Sequence, residues 1–331
     1  MNIEAALSRD LEEIVVQAGG EIDNGRCACP LHNGDNPGAF AIYQDAGKQK
    51  WVCHSGSCGS GDIIDFVTVW QGLDLAGAVE WLTGEKPINK AEVQKLTEER
   101  IERAKEYEQR KREEHIRALG ELRRAEAWEV YYRNLDGFGK RDLWRVRGIP
   151  DNWQDIFQLG YCDKFTVGTK GGIHHTPTLT IPIWGPGDQL VNIRHRLLNP
   201  PTPGDKYRPE RAGLNAEPYI CEPFRAYDME RIIVVEGEIK AMVTFITLDM
   251  PGIQVIGIPG KSIFKRIVEN LKGRDVIIVM DPDAQHEARQ MARALGGRVV
   301  NLGVKIDDAI TAGQLDKAAL QRMFRFSRSY R

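Results

Sequence analysis

This sequence lacks the features that mark exported and membrane-spanning proteins. No apolar run approaches the roughly 20 residues that a membrane helix needs. The N-terminal segment MNIEAALSRDLEEI is amphipathic and acidic, whereas an export signal begins with basic residues and continues with apolar ones. An excess of charge of one sign is missing too, because 45 Lys and Arg residues stand against 47 Asp and Glu residues. We therefore expect a cytoplasmic protein without a membrane partner, in which any basic surface for nucleic acid is local.

The remaining composition is that of a folded chain with more than one domain. A length of 331 residues predicts about two domains, and 42% hydrophobic residues are enough to form cores. Cysteine is sparse, but four of the six cysteines fall within the first sixty residues. In a chain without an export signal, this clustering favours a metal site over disulfides.

Residues 1–84 form the first predicted region, a small cysteine-bearing domain. Apolar residues at helical spacing begin and end it, and the stretches 39–43 and 49–52 predict a β-hairpin between them. Its core would be marginal without a metal ion. Residues 85–135 are densely charged with interleaved signs, which predicts one or two long solvated helices that act as a tether. A coiled coil or a partner-binding helix is the alternative.

Residues 136–331 form the largest region. Residues 136–229 are rich in Trp, Gly and Pro, and they contain predicted strands at 178–183 and 190–194. Residues 230–331 alternate Val- and Ile-rich strands with helical patterns and end in a basic tail, which predicts a mostly parallel α/β sheet. The fold class is therefore a multidomain protein with α+β and α/β parts. Ligands of parallel sheets gather at the carboxyl ends of the strands.

Two short segments flank the predicted hairpin and contain four potential metal ligands: Cys29, His32, Cys53 and Cys58. Three thiolates and one imidazole complete the tetrahedral shell of a structural zinc ion, with no open position for water. Cys27 and His54 lie next to these residues and are alternative ligands. The sequence thus predicts a zinc-ribbon-like domain.

The segments CPLHNGDNPGAFAIY and WVCHSGSCGSGDIIDFV resemble the CHC2-type zinc-binding domain of bacterial and phage DNA primases. The Cys-x4-Cys spacing of the second segment is longer than in the cellular replicative enzymes, which favours a phage, plasmid or mobile-element member. In the family this domain helps to select the template site on single-stranded DNA. The resemblance implies that aromatic and basic residues of the hairpin, including Lys50 and Trp51, contact the strand. A place in the core is the alternative for Trp51.

Carboxylates follow two of the predicted strands of the α/β region. Glu236 ends one strand, and Asp281 and Asp283 follow another. Carboxylates at such strand ends either face solvent or hold cations, because burying them unpaired is costly. Oxygen ligands of this kind suit Mg²⁺ or Mn²⁺, which assist phosphoryl transfer. Asp307 or Asp308 could complete the cluster, although an Asp before an apolar helix is also a common N-cap.

The order and spacing of these acidic segments resemble the Toprim fold, which DnaG-type primases share with topoisomerases, RecR-type recombination mediators and some nucleases. The resemblance implies that Glu236, Asp281 and Asp283 are catalytic and, together with Asp307, bind Mg²⁺ or Mn²⁺. At Lys240 the sequence departs from the replicative enzymes, which commonly have Asp there. Lys240 could instead contact a phosphate of nucleic acid or of a nucleotide.

A local cluster of basic residues precedes the Toprim-like region. Arg194 and Arg196 occupy alternate positions of a predicted strand, and Lys206 and Arg208 follow it. Such residues can hold a template phosphate or an incoming triphosphate. The layout is similar to the N-terminal part of the primase RNA-polymerase domain, which would span residues 136–229 and precede a Toprim subdomain at 230–331.

The resemblance covers residues 1–84 and 136–310 and implies a DNA primase of a bacterial or phage-infected cell. Its partners would be single-stranded DNA and NTPs, with structural Zn²⁺ and catalytic Mg²⁺ or Mn²⁺. Residues 260–262 read Gly-Lys-Ser without the first glycine of a P-loop, so we expect a replicative helicase to act in trans. The helicase-binding domain of the cellular primases is expected to be missing. The alternatives are a Toprim-family nuclease and a non-enzymatic, RecR-like DNA clamp.

Overall fold

The structure is a computed structural model, and it describes residues 2–33, 37–45, 47–54, 58–86, 90–169, 172–202, 206–222 and 228–324. The chain divides into two compact units, Met1–Arg110 (unit 1) and Lys111–Arg331 (unit 2). Within the described ranges, no helix is both long enough and apolar enough to cross a membrane. The end of the predicted basic tail, residues 325–331, lies outside the described residues.

Unit 1 begins with two short helices, α1 (Asn2–Leu7) and α2 (Leu11–Gln17). They precede a four-stranded antiparallel sheet whose strands lie side by side in chain order. The strands are β1 (Arg26–Cys27), β2 (Phe40–Asp45), β3 (Lys48–Cys53) and β4 (Ser60–Gly61). Strands β2 and β3 form the hairpin that the sequence predicts.

Two helices, α3 (Ile63–Gln71) and α4 (Leu75–Thr83), follow the sheet. Asp62 begins α3 as half of a capping box. Its carboxylate accepts hydrogen bonds from the N–H groups of Ile64 and Asp65, and the Asp65 carboxylate accepts one from the Asp62 N–H. Gly72, with a left-handed φ of 67°, ends α3. The apolar pattern at the end of the predicted zinc domain therefore forms two helices.

The charged segment forms a long helix, α5 (Lys90–Ala125), which continues past the end of unit 1. Its first part is attached to unit 1 by Arg100. This side chain donates hydrogen bonds to both carboxylate oxygens of Asp62, at 2.8 and 2.9 Å, and its Nε lies 2.6 Å from Asp65 Oδ1. Compact unit 1 thus extends to residue 110, beyond the predicted domain end at residue 84.

The pKa values of the two carboxylates that Arg100 contacts shift in opposite directions. Burial acts to raise the pKa of Asp62, but the Arg100 guanidinium, the Asp65 backbone N–H and Lys50 together bring the pKa below its ordinary value. Burial and the Asp62 carboxylate raise the pKa of Asp65 in spite of Arg100. The pair therefore depends on the arginine for its charge balance.

Unit 2 contains the remainder of α5, whose Ala118 and Leu122 pack with apolar residues of a second sheet. Glu126, with a left-handed φ of 48°, separates α5 from the next helix. The three helices that follow are α6 (Ala127–Asn134), α7 (Asp142–Arg145) and α8 (Asp151–Ile156). The sheet is antiparallel in chain order and consists of β5 (Gly160–Thr169), β6 (Gly172–Gly185), β7 (Gln189–Leu197) and β8 (Tyr207–Pro209).

The third sheet has the strand order β13-β12-β10-β11-β9, and all its strand pairs are parallel except β9 with β11. Its strands are β9 (Tyr219–Ile220), β10 (Arg231–Glu236), β11 (Ile253–Ile258), β12 (Asp275–Val279) and β13 (Arg298–Val299). Its helices are α9 (Glu238–Leu248), α10 (Lys261–Leu271), α11 (Gln285–Leu295), α12 (Ile306–Thr311) and α13 (Lys317–Met323). The predicted α/β alternation is confirmed.

Two glycines bring the end of β10 close to β11. A Cβ atom at Gly257 would lie 2.5 Å from the carbonyl oxygen of Gly237. Gly237 itself has φ of 86°, a conformation that suits glycine, at the turn from β10 into α9. The carboxyl ends of β10 and β11 therefore meet through backbone atoms, next to Glu236.

Candidate functional site

The four predicted zinc ligands converge in unit 1, and their ligand atoms all lie within 4.8 Å of one another. The Sγ atoms of Cys29 and Cys58 are 4.0 Å apart. His32 Nδ1 lies 3.1 Å from Cys58 Sγ and 3.7 Å from Cys53 Sγ. Tetrahedral zinc with Zn–S bonds of about 2.3 Å and Zn–N bonds of about 2.0 Å needs ligand separations of roughly 3.5–3.8 Å. The four side chains therefore fit a closed zinc site.

Strand pairing explains why these ligands meet. Cys53 lies opposite Phe40 on β2, which in turn lies opposite Cys27 on β1, so the segment that follows β1 is brought beside the end of β3. Cys27 and His54, the alternative ligands, are not in the group that converges among the described residues. Burial and the nearby thiols of Cys53 and Cys58 raise the pKa of Cys29. A zinc ion would favour the thiolate forms instead.

One residue of the unit 1 hairpin, Trp51, does not have the exposed ring that the expected contact with nucleic acid requires. Trp51 is 1% exposed, stacks on Phe40 with ring centroids 5.4 Å apart, and donates its Nε1–H to the Asp62 carbonyl oxygen at 2.9 Å. A ring without an exposed face cannot stack on a base, so the predicted contact of Trp51 is wrong and the core alternative is correct. Lys50 Nζ lies 3.8 Å from Asp62 Oδ2. Tyr43, 46% exposed, is the aromatic ring that the hairpin presents to solvent.

The second site is a cleft of about 340 Å³ in unit 2. Its walls carry basic residues of β7 and of the segment before β8, and acidic residues from the end of β10, the start of α9 and the start of α12. The charged residues that line it are Arg147, Arg194, Arg196, Lys206, Glu236, Glu238, Lys240, Lys305, Asp307 and Asp308. The structure thus brings together basic and acidic residues that the sequence analysis considered separately.

Glu236 and Asp281 lie at the carboxyl ends of neighbouring strands. Glu236 is the last residue of β10, and Asp281 follows β12, which pairs with β10 in parallel. Lys240 reaches across from α9, and its Nζ lies 2.7 Å from both carboxylate oxygens of Asp281. Lys305 Nζ lies 4.0 Å from Asp281 Oδ2. Asp283 is exposed, and the acidic side chains in the described part of the chain do not converge as the zinc ligands do.

Three carboxylate oxygens of the cleft are buried and have no hydrogen-bond partner among the described residues, namely Glu236 Oε2, Glu238 Oε1 and Asp307 Oδ1. Of these, Glu238 Oε1 lies 3.3 Å from Arg194 Nε in an ion pair. Burial and the Asp281 carboxylate raise the pKa of Glu236, against the effect of Lys240. Burial also raises the pKa of Asp307, where Lys240 again acts in the opposite direction. Buried oxygens of this kind are costly unless a cation satisfies them, so they fit a hard divalent ion such as Mg²⁺ or Mn²⁺.

Arg194 and Arg196 are held within the cleft by an aromatic ring and a carboxylate. Both guanidinium groups lie over the Tyr207 ring, 5.5 and 5.3 Å from its centroid, and Arg196 donates a hydrogen bond to Tyr207 Oη at 2.7 Å. Arg194 Nε lies 3.3 Å from Oε1 of Glu238, whose side chain is 2% exposed. Guanidinium groups fixed in this way are suited to bind phosphate oxygens.

The residue between these arginines is buried. His195 Nε2 lies 2.6 Å from Glu210 Oε2, and His195 Nδ1 lies 2.8 Å from Thr178 Oγ1. Burial lowers the pKa of His195, although Glu210 acts in the opposite direction. Arg208 lies opposite His195 in the β7–β8 register and alternates with Tyr207, and it is not among the residues that line the cleft. Its predicted contact with nucleic acid or a nucleotide stays a prediction.

Several residues of the cleft are not identified by sequence patterns, among them Glu238, which pairs with Arg194. Arg147 lies in the turn after α7, where burial and the charge of Arg196 lower its pKa, and a single arginine in a turn has no periodicity to mark it. Tyr207 had a weak signal, as the aromatic residue next to Lys206. Lys305 immediately precedes the acidic pair at the start of α12, and its neighbours hide its own positive charge in the sequence.

No family model matches this sequence, and no curated protein sequence matches it. Solved structures of primases are similar. The zinc-binding and RNA polymerase domains of the Aquifex aeolicus primase match with a TM-score of 0.46 and 19% identity, over 98% of this chain and 84% of that chain. The RNA polymerase domain of Mycobacterium tuberculosis primase DnaG matches with a TM-score of 0.47 and 15% identity, over 60% of this chain and 80% of that chain.

A DnaG primase catalytic domain bound to single-stranded DNA matches with a TM-score of 0.47 and 14% identity, over 65% of this chain and 82% of that chain. These likenesses concern the fold.

Proposed function

We propose that this protein is a DNA primase, which synthesises short RNA primers on single-stranded DNA by metal-dependent nucleotidyl transfer. The observation that carries the proposal is the cleft of unit 2, where fixed guanidinium groups and buried, unpartnered carboxylate oxygens lie together. A nucleoside triphosphate needs positive charge around its phosphate oxygens, and a divalent ion needs carboxylate ligands. The cleft offers both within one small volume.

In the proposed reaction, the 3′-hydroxyl oxygen of the primer or of the first nucleotide forms a bond to the α-phosphorus of an NTP. The bond from the α-phosphorus to the bridging oxygen breaks, pyrophosphate leaves, and the hydroxyl proton passes to solvent. Arg194 and Arg196 hold phosphate oxygens of the nucleotide or template in this scheme. Glu236, Asp281 and Asp283 would hold Mg²⁺ or Mn²⁺ during this reaction, and the ion would supply positive charge to the reacting phosphate.

Unit 1 has the proposed role of recognising the site on the template where synthesis starts. Its zinc cluster is closed and structural, so the contact with DNA falls to the hairpin, where Tyr43 is exposed. The partners in this proposal are single-stranded DNA, NTPs and a replicative helicase that acts in trans, in the cytoplasm of the cell. The spacing from Cys53 to Cys58 supports a phage, plasmid or mobile-element origin.

A Toprim-family nuclease is the second candidate, because the same carboxylates and metal ions could direct water at a DNA phosphate. The ring of Tyr207 beneath two arginines favours nucleotide binding, since a charged pocket that fixes a triphosphate is not needed to cut a strand. A nuclease would shorten the template, whereas a primase lengthens RNA upon it.

The test is a primer-synthesis assay with the zinc-loaded full chain, single-stranded templates of mixed sequence, four NTPs of which one is labelled, and Mg²⁺ or Mn²⁺. We expect short RNAs that depend on the template and that vanish with Asp281→Asn. The matched control is Asp188→Asn, because Asp188 is exposed in a hairpin turn and its φ of 57° suits Asn. Loss of start-site choice with Cys53→Ser would assign recognition to unit 1.

Absence of RNA with a shortened template would contradict the primase and favour the nuclease. Absence of RNA with an intact template, also after addition of a replicative helicase, would favour a DNA-binding clamp.

A further inference from the structure

The ammonium group of Lys240 occupies an unusual place for a lysine at the surface of a cleft. Its Nζ is equidistant, at 2.7 Å, from both carboxylate oxygens of Asp281. The two side chains are only 15% and 11% exposed, so solvent screens the pair weakly. A cation centred on both oxygens of one carboxylate takes the position that a bound metal ion would otherwise use.

The influence of Lys240 extends beyond Asp281. The same ammonium lies close enough to Glu236 and Asp307 to offset part of the cost of their negative charges. Lys305 also approaches Asp281, but its Nζ is 4.0 Å away and its side chain is 53% exposed. Lys240 is therefore the cation in contact with Asp281 that is shielded from water.

We propose that Lys240 is a built-in replacement for one divalent ion, so that the cleft binds a single Mg²⁺ or Mn²⁺ where Asp at residue 240 would allow two. This inference rests on the proposed function, because that function supplies the divalent ion. Ion binding itself can be measured without any reaction. The ammonium of Lys240 already neutralises Asp281, which leaves the carboxylates of Glu236 and Asp307 for an ion.

The position left for that ion is marked by the unpartnered oxygens. Glu236 Oε2 and Asp307 Oδ1 are buried and accept no hydrogen bond from the described residues, whereas both oxygens of Asp281 contact Lys240. In the protein without nucleotide, Glu236 and Asp307 would therefore hold the single ion, and Asp281 would become a ligand only after Lys240 moves away from it, as it must in the proposed reaction. An ammonium supplies three N–H donors and one charge but no coordination shell, so it neutralises Asp281 without binding a nucleotide phosphate as a metal ion would.

The test measures Mn²⁺ bound per chain by electron paramagnetic resonance, using the zinc-loaded full chain without NTP or DNA. We expect one Mn²⁺ for the wild type and two for Lys240→Asp. Lys240→Met retains the length of the side chain and removes its charge, and we expect it to tighten Mn²⁺ binding by about tenfold, which corresponds to roughly 1.4 kcal/mol. Lys272→Met is the matched control, since Lys272 is half exposed and pairs with Glu269 outside the cleft.

A second pair of variants keeps the result independent of folding. If Lys240 neutralises Asp281, then Asp281→Asn changes Mn²⁺ binding little in the wild type but removes the gain of Lys240→Met, so the two substitutions are coupled. Circular dichroism and thermal melting identify any variant that fails to fold, and the double variant restores local charge balance in that case.

Equal numbers of bound Mn²⁺ in the wild type and in folded Lys240→Asp would overturn the inference, whether that number is zero, one or two. So would weaker binding in Lys240→Met, because Lys240 would then position Asp281 for the metal. If the wild type synthesises no primers but Lys240→Asp binds one more Mn²⁺ than the wild type, only the proposed function is contradicted. If the wild type synthesises primers but binds as many Mn²⁺ ions per chain as Lys240→Asp, only the inference about Lys240 is contradicted.

Discussion

The zinc cluster of unit 1 and the charged cleft of unit 2 both bring together side chains that can carry negative charge. The two sites differ in how far solvent can reach these side chains. In unit 1, the thiols of Cys29 and Cys53 are buried and converge on one point with His32 and Cys58. In unit 2, carboxylates line an open cleft, and the lining residue Lys240 is already paired with Asp281.

Under the proposed function, this difference corresponds to two kinds of metal site. A closed shell of four ligands leaves no position for a substrate and therefore stabilises the fold. A cleft with unpartnered oxygens at Glu236 and Asp307 leaves positions for both a metal ion and a phosphate. Removal of a ligand should therefore unfold the first site and inactivate the second, and the following predictions test this contrast.

The largest effect is expected from Cys29→Ser in the zinc cluster. The substitution removes one of four ligands, so we expect loss of the zinc ion and unfolding of unit 1, because zinc contributes about 10–16 kcal/mol to the folding of small zinc domains. Zinc content by mass spectrometry and protease resistance of residues 1–110 measure this. Cys162→Ala, which alters a buried cysteine of unit 2, should leave the zinc content unchanged. A folded, protease-resistant unit 1 without zinc would contradict the closed, structural site.

Glu236→Gln should separate activity from stability in the cleft. We expect primer synthesis to fall by roughly a thousandfold, since a metal-ligating carboxylate is lost. Burial and Asp281 raise the pKa of Glu236, so its negative charge costs stability above that pKa, and the neutral Gln should raise the melting temperature of the metal-free protein at pH 7. Glu230→Gln, an exposed change just before β10, is the control. A lower melting temperature for Glu236→Gln would show that its charge stabilises the cleft.

Arg100→Met should weaken unit 1 without touching the zinc ligands. The substitution leaves Asp62 and Asp65 as neighbouring, buried carboxylates, and we expect a loss of about 2–3 kcal/mol in the free energy of unfolding. The rate at which a chelator removes zinc reports this loss for unit 1 alone and should rise about 30- to 150-fold. Arg103→Met, an exposed change one turn along the same helix, should leave the rate unchanged. An unaltered rate in Arg100→Met would mean that the helix is not attached through this arginine.

The smallest effect concerns the buried side of β7, opposite the cleft. Burial lowers the pKa of His195 from its usual value of 6.5, so the unfolded chain binds the proton more tightly than the folded one. The stability that this provides is complete above about pH 6.5 and is lost as the pH falls, by at most about 1.4 kcal/mol per pH unit. His195→Gln should lose this dependence in urea titrations between pH 7.5 and 5.5, whereas His174→Gln should keep it. If the free energy of unfolding changes equally with pH in the wild type and in His195→Gln, this pH dependence does not come from His195.

Features that repeat along the chain could be predicted from the sequence. The zinc ligands occupy two short segments around a hairpin, and Glu236 and Asp281 end Val- and Ile-rich strands that parallel pairing places side by side. Strand alternation alone does not tell which face is buried, and so Trp51 was assigned to the wrong one of two open alternatives.

Contacts between distant residues could not be predicted. Lys240 and Asp281 are 41 residues apart, and Arg100 meets Asp62 across 38 residues. Their pairing depends on the packing of a helix against a strand end or a capping box, which has no period in the sequence.

The contact between Gly257 and Gly237 has a consequence for how the cleft can change during evolution. Backbone atoms of Gly237 and the Cβ of Ala241 fill the space beside Gly257, so the width of the gap beside Glu236 does not depend on the rotamer of any side chain. Any larger residue at position 257 would clash with Gly237, and the ends of the two strands would have to move apart to make room for its side-chain atoms. The chemistry of the cleft can therefore drift through its charged side chains, as at Lys240, while its dimensions stay constant.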